Sequence, residues 1–320
     1  MKKVWILDDE WFSHDVEKGI YEENGFEYLI TRSDTLDEDF QTFGKDADGI
    51  VAQVGFDFGR SYIEQLTKCK IIASSGVGFN HIDLEATKER GIYVTNMADY
   101  CIDEVSDHTI ALALIVALRM RAYNDQIRNG EWNPLNTLPI HRLQGRTFGI
   151  LGFGRIAREV ARKIKPFGMK VIAHDAYVDE AAFEEAGVES VSLDELFDRA
   201  NILTLHVPLT PETEGLVNEV RLRQMPKDAI ILNTCRGAVI NEADLEKVIK
   251  DGHIAGAGLD VLTEEPPSDD LPLLHMEEVY VTPHSSYVSV ESEYELRSRT
   301  SNNVIRAVNG ERPEFVVNGL

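Results

Sequence analysis

The chain has 320 residues, 43% of them hydrophobic and 27% charged, with a formal net charge of −23 at pH 7. The length predicts two domains, and the composition excludes a disordered chain. So acidic a surface repels phosphate backbones and anionic lipid. That excludes direct nucleic-acid and membrane-surface binding, and an acid substrate would need positive charge placed locally in its site.

In chain order, the first apolar run, Val4 to Leu7, meets Asp8-Asp9-Glu10 at once and is too short for a signal peptide. Lys3 to Leu7 reads as a strand, Asp15 to Asn24 as a helix stopped by Gly25, and Phe26 to Ile30, Gly49 to Val54, Lys70 to Ala73 and Ile92 to Thr95 as further strands, with a helical stretch from Tyr62 to Leu66. Short apolar strands separated by helices predict a parallel sheet covered on both faces. From Cys101 the pattern changes. Asp103 is placed to cap one long helix running to about Arg128 and ending at Asn129-Gly130. Its apolar stretch, Ile110 to Leu118, falls short of the roughly 20 residues a membrane span needs and reads as a buried core helix. Asn133-Pro134 through Pro139 is a loop.

A second strand-helix series follows. Strands are expected at Thr147 to Leu151, Lys170 to His174, Ile202 to His206, Ile230 to Asn233, Gly256 to Asp260 and Val279 to Thr282. Helices are expected at Ile156 to Lys165, Leu193 to Phe197 and Glu242 to Asp251. A last helix, from Ser289 or Val290 to about Asn309, is expected to pack back on the first domain. The three cysteines, Cys69, Cys101 and Cys235, fit neither a disulfide framework nor a zinc site, which predicts a reducing, cytoplasmic compartment. No cluster has metal-ligand spacing, so no metal is expected.

Gly152-Phe153-Gly154-Arg155-Ile156-Ala157 lies between a strand and a helix. Alone, a G-x-G-x-x-A string is weak. Here strand, tight turn, helix and next strand come in the order that a dinucleotide site requires. The glycines let backbone approach a pyrophosphate, the helix N-terminus offers free N–H groups, and Arg155 adds a charge. Asp175 ends the next strand, where a carboxylate accepts from ribose hydroxyls and repels a 2′-phosphate. With no Arg or Lys among Ala176, Tyr177 and Val178, NAD is the expected cofactor.

Three later segments sit at strand ends: Asn233-Thr234-Cys235-Arg236-Gly237, Asp260 to Pro266, and Thr282-Pro283-His284. Reducing a 2-keto acid takes a cation for the carboxylate, a proton donor for the carbonyl oxygen, and a group that keeps the donor poised. Arg236 has the planar fork for the first, His284 the ionisation range for the second, and Glu265 the charge for the third. The isolated histidines His81, His108, His141 and His206 read as structural or solvated. Cys235 reads as a packed side chain rather than a reactive thiolate.

These residues resemble the D-isomer-specific 2-hydroxyacid dehydrogenases, over nearly the full chain. The resemblance implies a Rossmann-type NAD-binding domain at 100–285 inserted into a flavodoxin-like substrate-binding domain made of 1–99 and 286–320, an α/β protein with two parallel sheets. Arg236, Glu265 and His284 match the family's catalytic trio. Asp260 matches the aspartate that meets the nicotinamide carboxamide. His206-Val207-Pro208-Leu209-Thr210, with Thr213 after it, and Thr234, Cys235, Arg236 and His284 match cofactor-binding positions. Ser75-Gly76-Val77-Gly78 matches the substrate loop, which places the keto acid's carboxylate on Arg236 and on the Val77 and Gly78 backbone, with Tyr287 lining the pocket. The family is typically dimeric, with Cys101 to His141 as the contact. Within it, Asp99 to Val105 and the last helix look closest to the branch of the C-terminal-binding proteins. That branch keeps an alternative in view, an NADH-sensing, corepressor-like binding protein. A second alternative is D-3-phosphoglycerate oxidation, for which Arg60 is the one extra cation near the substrate loop.

Overall fold

The computed structural model describes residues 1–136 and 139–320; Thr137 and Leu138, part of the loop expected between Asn133 and Pro139, lie outside the described residues. Residues 1–101 alternate β1 (Lys2–Leu7), α1 (Asp15–Glu23), β2 (Phe26–Thr31), α2 (Leu36–Thr42), β3 (Gly49–Gln53), α3 (Arg60–Ile63), β4 (Ile71–Ser75), α4 (Leu84–Glu89) and β5 (Tyr93–Thr95). Two helices follow, α5 (Ile102–Ala117) and α6 (Met120–Arg128). Then come β6 (Thr147–Leu151), α7 (Arg155–Ile164), β7 (Lys170–His174), α8 (Glu180–Ala186), β8 (Glu189–Ser190), α9 (Leu193–Arg199), β9 (Ile202–Leu205), α10 (Glu219–Gln224), β10 (Ala229–Asn233), α11 (Glu242–Lys250), β11 (Ile254–Leu259) and β12 (Val279–Val281), and last α12 (Val290–Val308). The chain forms two compact units, Met1–Cys101 with Ser289–Leu320, and Ile102–Val288. The boundaries expected from sequence stood at 99/100 and 285/286.

The first unit holds a five-stranded parallel sheet in the order β2-β1-β3-β4-β5, the flavodoxin-like arrangement. Its strands are apolar runs because both faces are covered. Trp5 packs with Phe40 and Phe58 on one face, while Val4 and Ile6 meet Tyr21, Val304 and Ile305 on the other. Helix α12 closes that second face. It is fastened by Arg297, whose Nε and Nη2 donate to the two oxygens of Glu17 at 2.7 and 2.6 Å, with both side chains 6% exposed.

The second unit holds a seven-stranded parallel sheet in the order β12-β11-β10-β9-β6-β7-β8. The order reverses between β6 and β9, the switch point where a crevice opens at the strands' C-terminal ends. Helix α5 is apolar on most sides because it lies across β10 to β12 and against α7. Two glycines of β11 admit it closely. A Cβ on Gly258 would stand 3.0 Å from Leu112 Cβ, and one on Gly256 3.0 Å from a Val116 methyl.

The single long helix expected to Arg128 is two helices. Arg119 takes φ 52° and interrupts the chain between α5 and α6. Asp103 lies inside the first turn of α5 rather than at its cap, where its charge still suits the helix N-terminus. Among the described residues no helix is long and apolar enough to cross a membrane.

Candidate active site

The Gly152 turn lies at the switch point. Gly152 has φ +87°, and a Cβ there would meet the His206 carbonyl oxygen at 2.4 Å, so the close approach of β6 and β9 requires glycine. Gly154 is the N-cap of α7, has open space around its Cα, and provides no side-chain cap. Arg155 and Ile156 open the first turn of α7, and Ala157 is buried beneath them. Asp175 sits beside this turn. Its Oδ2 accepts from Phe153 N at 2.7 Å and its Oδ1 from Tyr177 N at 2.9 Å, so backbone amides orient the carboxylate. An open helix N-terminus next to a fixed carboxylate fits a dinucleotide's pyrophosphate and ribose.

The loop after β9 is braced internally. Thr213 Oγ1 donates to the Pro208 carbonyl at 2.6 Å and accepts from Thr210 N at 2.8 Å. His206 bonds Thr204 Oγ1 at 3.0 Å, and burial pushes its imidazole down to about 4, so it stays neutral at pH 7.

The turn after β10 is built by Asn233. Its Oδ1 accepts from Cys235 N at 3.0 Å and its Nδ2 donates to the Arg236 carbonyl at 2.8 Å. Thr234 Oγ1 is 3.1 Å from Thr109 Oγ1 of α5. Burial pushes the Cys235 thiol up to about 11, which agrees with a packed side chain. Arg236 donates Nη1 to the Cys235 carbonyl at 2.6 Å, and among the described residues it makes no ion pair. Gly237 follows. A Cβ there would lie 2.0 Å from the Leu262 carbonyl carbon, so only glycine lets the Arg236 turn pack on the segment leading to Glu265.

His284 Nδ1 lies 2.7 Å from Glu265 Oε2, and Glu265 Oε1 accepts from Leu262 N at 2.9 Å. The bond to Glu265 holds the His284 imidazole above its ordinary range against the effect of burial, with the charges of Glu265 and Asp260 adding to it. Burial would raise Glu265. The bonds from His284 and Leu262 and the charges of His284 and Arg236 outweigh it and hold the carboxyl low. The two side chains are 40% and 38% exposed and border a cavity of about 680 Å³, so the pair is open to proton exchange. Tyr287 stands edge-on to His284 with ring centroids 6.2 Å apart.

Asp260 is 1% exposed and its carboxylate is held by three donors. Its Oδ1 accepts from Thr282 Oγ1 at 2.5 Å and Ser285 N at 2.9 Å, and its Oδ2 from Ser286 N at 2.9 Å. His108 Nε2 lies 2.9 Å from Thr282 Oγ1. The sequence reading missed these roles of Asn233, Gly237, Thr282 and His108. The N-T-C-R-G string held a signal for the first two, since Asn and Gly flanking an arginine at a strand end mark a tight turn.

Val77 and Gly78 lie in the first unit, in the loop after β4. Their carbonyls accept from Asn96 Nδ2 at 2.7 Å and Ser74 Oγ at 2.6 Å. Among the described residues no group of three His, Cys, Asp or Glu side chains could hold a metal.

Residues 110–286 match the family model "D-isomer specific 2-hydroxyacid dehydrogenase, NAD binding domain". The chain is 37% identical to a glyoxylate reductase of Korarchaeum cryptofilum, over 86% of this chain and 83% of that protein. It is 38% identical to a D-3-phosphoglycerate dehydrogenase of Methanocaldococcus jannaschii, over 86% of this chain but only 52% of that longer protein. The structure of a D-lactate dehydrogenase from Aquifex aeolicus, complexed with NAD and lactic acid, superposes with a TM-score of 0.85 at 28% identity, covering 96% of each chain. The switch-point turn, the fixed Asp175 and the Glu265–His284 pair thus occur in a chain that belongs to the D-isomer-specific 2-hydroxyacid dehydrogenases, a family of NAD-dependent oxidoreductases.

Proposed function

We propose that this enzyme reduces small 2-keto acids, with glyoxylate the first candidate, and oxidises the corresponding 2-hydroxy acids, using His284 as the acid and base. The observation that carries this reading is the 2.7 Å bond between Glu265 and His284 Nδ1, which leaves Nε2 for the substrate, with the charge of Arg236 near the pair.

When bound, NAD supplies or takes up the hydride at its nicotinamide ring. The first turn of α7, with Arg155 and Ile156, would hold the pyrophosphate, and Asp175 would accept from the ribose hydroxyls. His206, Pro208, Thr213, Thr234 and Cys235 would border the cofactor, and Asp260 would stand at its carboxamide. Arg236 clamps the substrate carboxylate in a two-point bond and so orients the carbonyl. In reduction, protonated His284 gives its Nε2 proton to the carbonyl oxygen, and Glu265 stabilises the imidazolium until then. In oxidation the neutral imidazole takes the hydroxyl proton. Tyr287 limits the room beside the imidazole.

The phosphoglycerate alternative is weakened by Arg60, whose guanidinium meets Glu89 at 2.9 Å, Asp83 at 3.4 Å and Glu64 at 3.6 Å and so is already balanced by carboxylates. The corepressor alternative draws no support from relatives that are reductases and dehydrogenases.

We further propose a cytoplasmic homodimer formed through the stretch from Cys101 to His141. Met120, Ile127, Trp132, Leu135 and Ile140 are exposed along it, a density of bare apolar side chains that a monomer rarely carries. Light scattering should give twice the chain mass, and Trp132→Glu with Leu135→Glu should halve it.

The test of function is loss of NADH absorbance with glyoxylate, hydroxypyruvate, pyruvate, phenylpyruvate, 2-ketogluconate and phosphohydroxypyruvate. Turnover of a small keto acid that His284→Ala abolishes supports the reading. Tight NADH binding without turnover of any of them would overturn it in favour of a cofactor-sensing protein.

A further inference from the structure

The active-site histidine sits on an unusual piece of backbone. His284 has φ +51°, a region that non-glycine residues avoid unless their surroundings hold them there. What holds it is mostly Asp260. The Asp260 carbonyl accepts from His284 N at 2.8 Å, and its carboxylate takes the next two amides, Ser285 N on Oδ1 and Ser286 N on Oδ2. Two amides fall on two different oxygens only while the carboxyl plane keeps one rotation. That rotation is therefore what fixes the direction of the loop leaving His284.

The rotation is in turn set from helix α5. A hydroxyl has one proton to give, and an ionised carboxylate can only accept. At 2.5 Å from Asp260 Oδ1, Thr282 Oγ1 must donate to it. Its lone pairs are then what His108 Nε2 meets at 2.9 Å, so His108 carries its proton on Nε2 and donates. Polarity along the chain is thus determined: His108 to Thr282 to Asp260 to the amides after His284. Helix α5 can reach this place because Gly256 and Gly258 let it lie close on β11, and because the neighbouring Thr109 engages Thr234 at the start of the Arg236 turn. Two consecutive residues of one helix thus touch the roots of both substrate-handling loops.

We infer that His108 and Thr282 are positioning residues, which align His284 for proton transfer through the Asp260 carboxylate without touching substrate themselves. This rests on the reading of His284 as the acid and base. It differs from a merely structural role in its kinetic signature. A misdirected imidazole slows the chemical step while substrate and cofactor still bind, so kcat should fall and KM should not.

The experiment uses glyoxylate and NADH with the full chain. Thr282→Val removes the hydroxyl at constant shape, and Thr282→Ser restores it. His108→Leu removes the donor, and His108→Gln returns an N–H near the Nε2 position. Thr282→Val and His108→Leu are expected to lower kcat by between about ten- and a hundredfold, since small displacements of reacting groups have effects of that size. The glyoxylate KM, the NADH Kd and the Tm should stay near the parent values. The primary isotope effect with NADH deuterated at the transferred position should rise, and Thr282→Ser and His108→Gln should recover most of the rate. Parent-like kcat in His108→Leu and Thr282→Val would overturn the inference. So would a joint fall of kcat, binding and Tm that neither conservative variant repairs. A His284→Asn control separates the two layers. If that variant keeps turnover, the acid and base assignment itself is wrong; if it loses turnover while His108→Leu and Thr282→Val do not, only the positioning role falls.

Discussion

Glu265 Oε2 and His284 Nδ1 lie 2.7 Å apart, and the other Glu265 oxygen is held by the amide of Leu262. The carboxylate is thereby fixed from behind and presents one oxygen to the imidazole. Its effect on the two ionisations has opposite signs, which makes it measurable.

The His284 imidazole is held above 6.5 and the Glu265 carboxyl below 4.5. For His284 the folded state prefers the proton, so its contribution to stability is complete below 6.5 and disappears as pH rises through the raised value. For Glu265 the contribution is complete above 4.5 and disappears as pH falls through the lowered value. Both contributions are therefore complete between the ordinary values of 4.5 and 6.5, and the pair helps most in that window. Keto-acid reduction should decline on the alkaline side of the raised His284 value, and hydroxy-acid oxidation should rise there. Glu265→Gln should pull both limbs back toward 6.5, read from pH profiles of kcat/KM in each direction.

Arg236→Gln should leave NADH binding near normal and weaken the keto acid. A bond to a charged group is worth about 1.5–3 kcal/mol, so kcat/KM should fall by roughly ten- to a hundredfold. Arg236→Lys should recover only part of that, because a point charge cannot make the two-point contact.

Gly237→Ala should act without touching substrate. The added methyl would overlap the Leu262 carbonyl carbon at 2.0 Å, driving the Arg236 turn away from the Glu265 segment. Overpacking of this kind costs about 1–3 kcal/mol. A lowered Tm and a loss of kcat/KM are expected together, from calorimetry and steady-state kinetics.

Asp175→Ala should do two things at once. It removes the acceptor that orients Phe153 N in the glycine turn, and it removes the charge that opposes a 2′-phosphate. NADH should bind roughly tenfold or more weakly, and the gap between NADH and NADPH should narrow, measured by fluorescence titration of both.

The strand-end segments were legible in the sequence because their chemistry is local. Gly152 and Gly154, the Asn233 to Gly237 turn and Thr282 to His284 each follow an apolar strand, and strand ends face the crevice. The interruption at Arg119 was not legible. From Ile102 to Arg128 the sequence holds neither glycine nor proline, so no local residue marks the left-handed turn at Arg119. Helices α2, α4, α8 and α10 were missed because they are short, and α2 and α8 are also acidic. His108 was invisible for another reason. Nothing in a local window connects it to Thr282, 174 residues further on, and a lone histidine on an apolar helix reads as filler.

The interrupted first unit imposes an order on synthesis. Its sheet is complete once β5 has emerged, yet the face carrying Val4, Ile6, Ile71 and Ala73 is covered by α1 and by α12, and α12 is made only after the second unit. Contacts such as Arg297 with Glu17, 280 residues apart, form only after the whole intervening unit has been made. The intervening unit is contiguous and can complete its own core first. During that interval the ribosome carries an apolar sheet face that α1 covers only in part, so the nascent chain is at its most aggregation-prone while its catalytic loops are already folding.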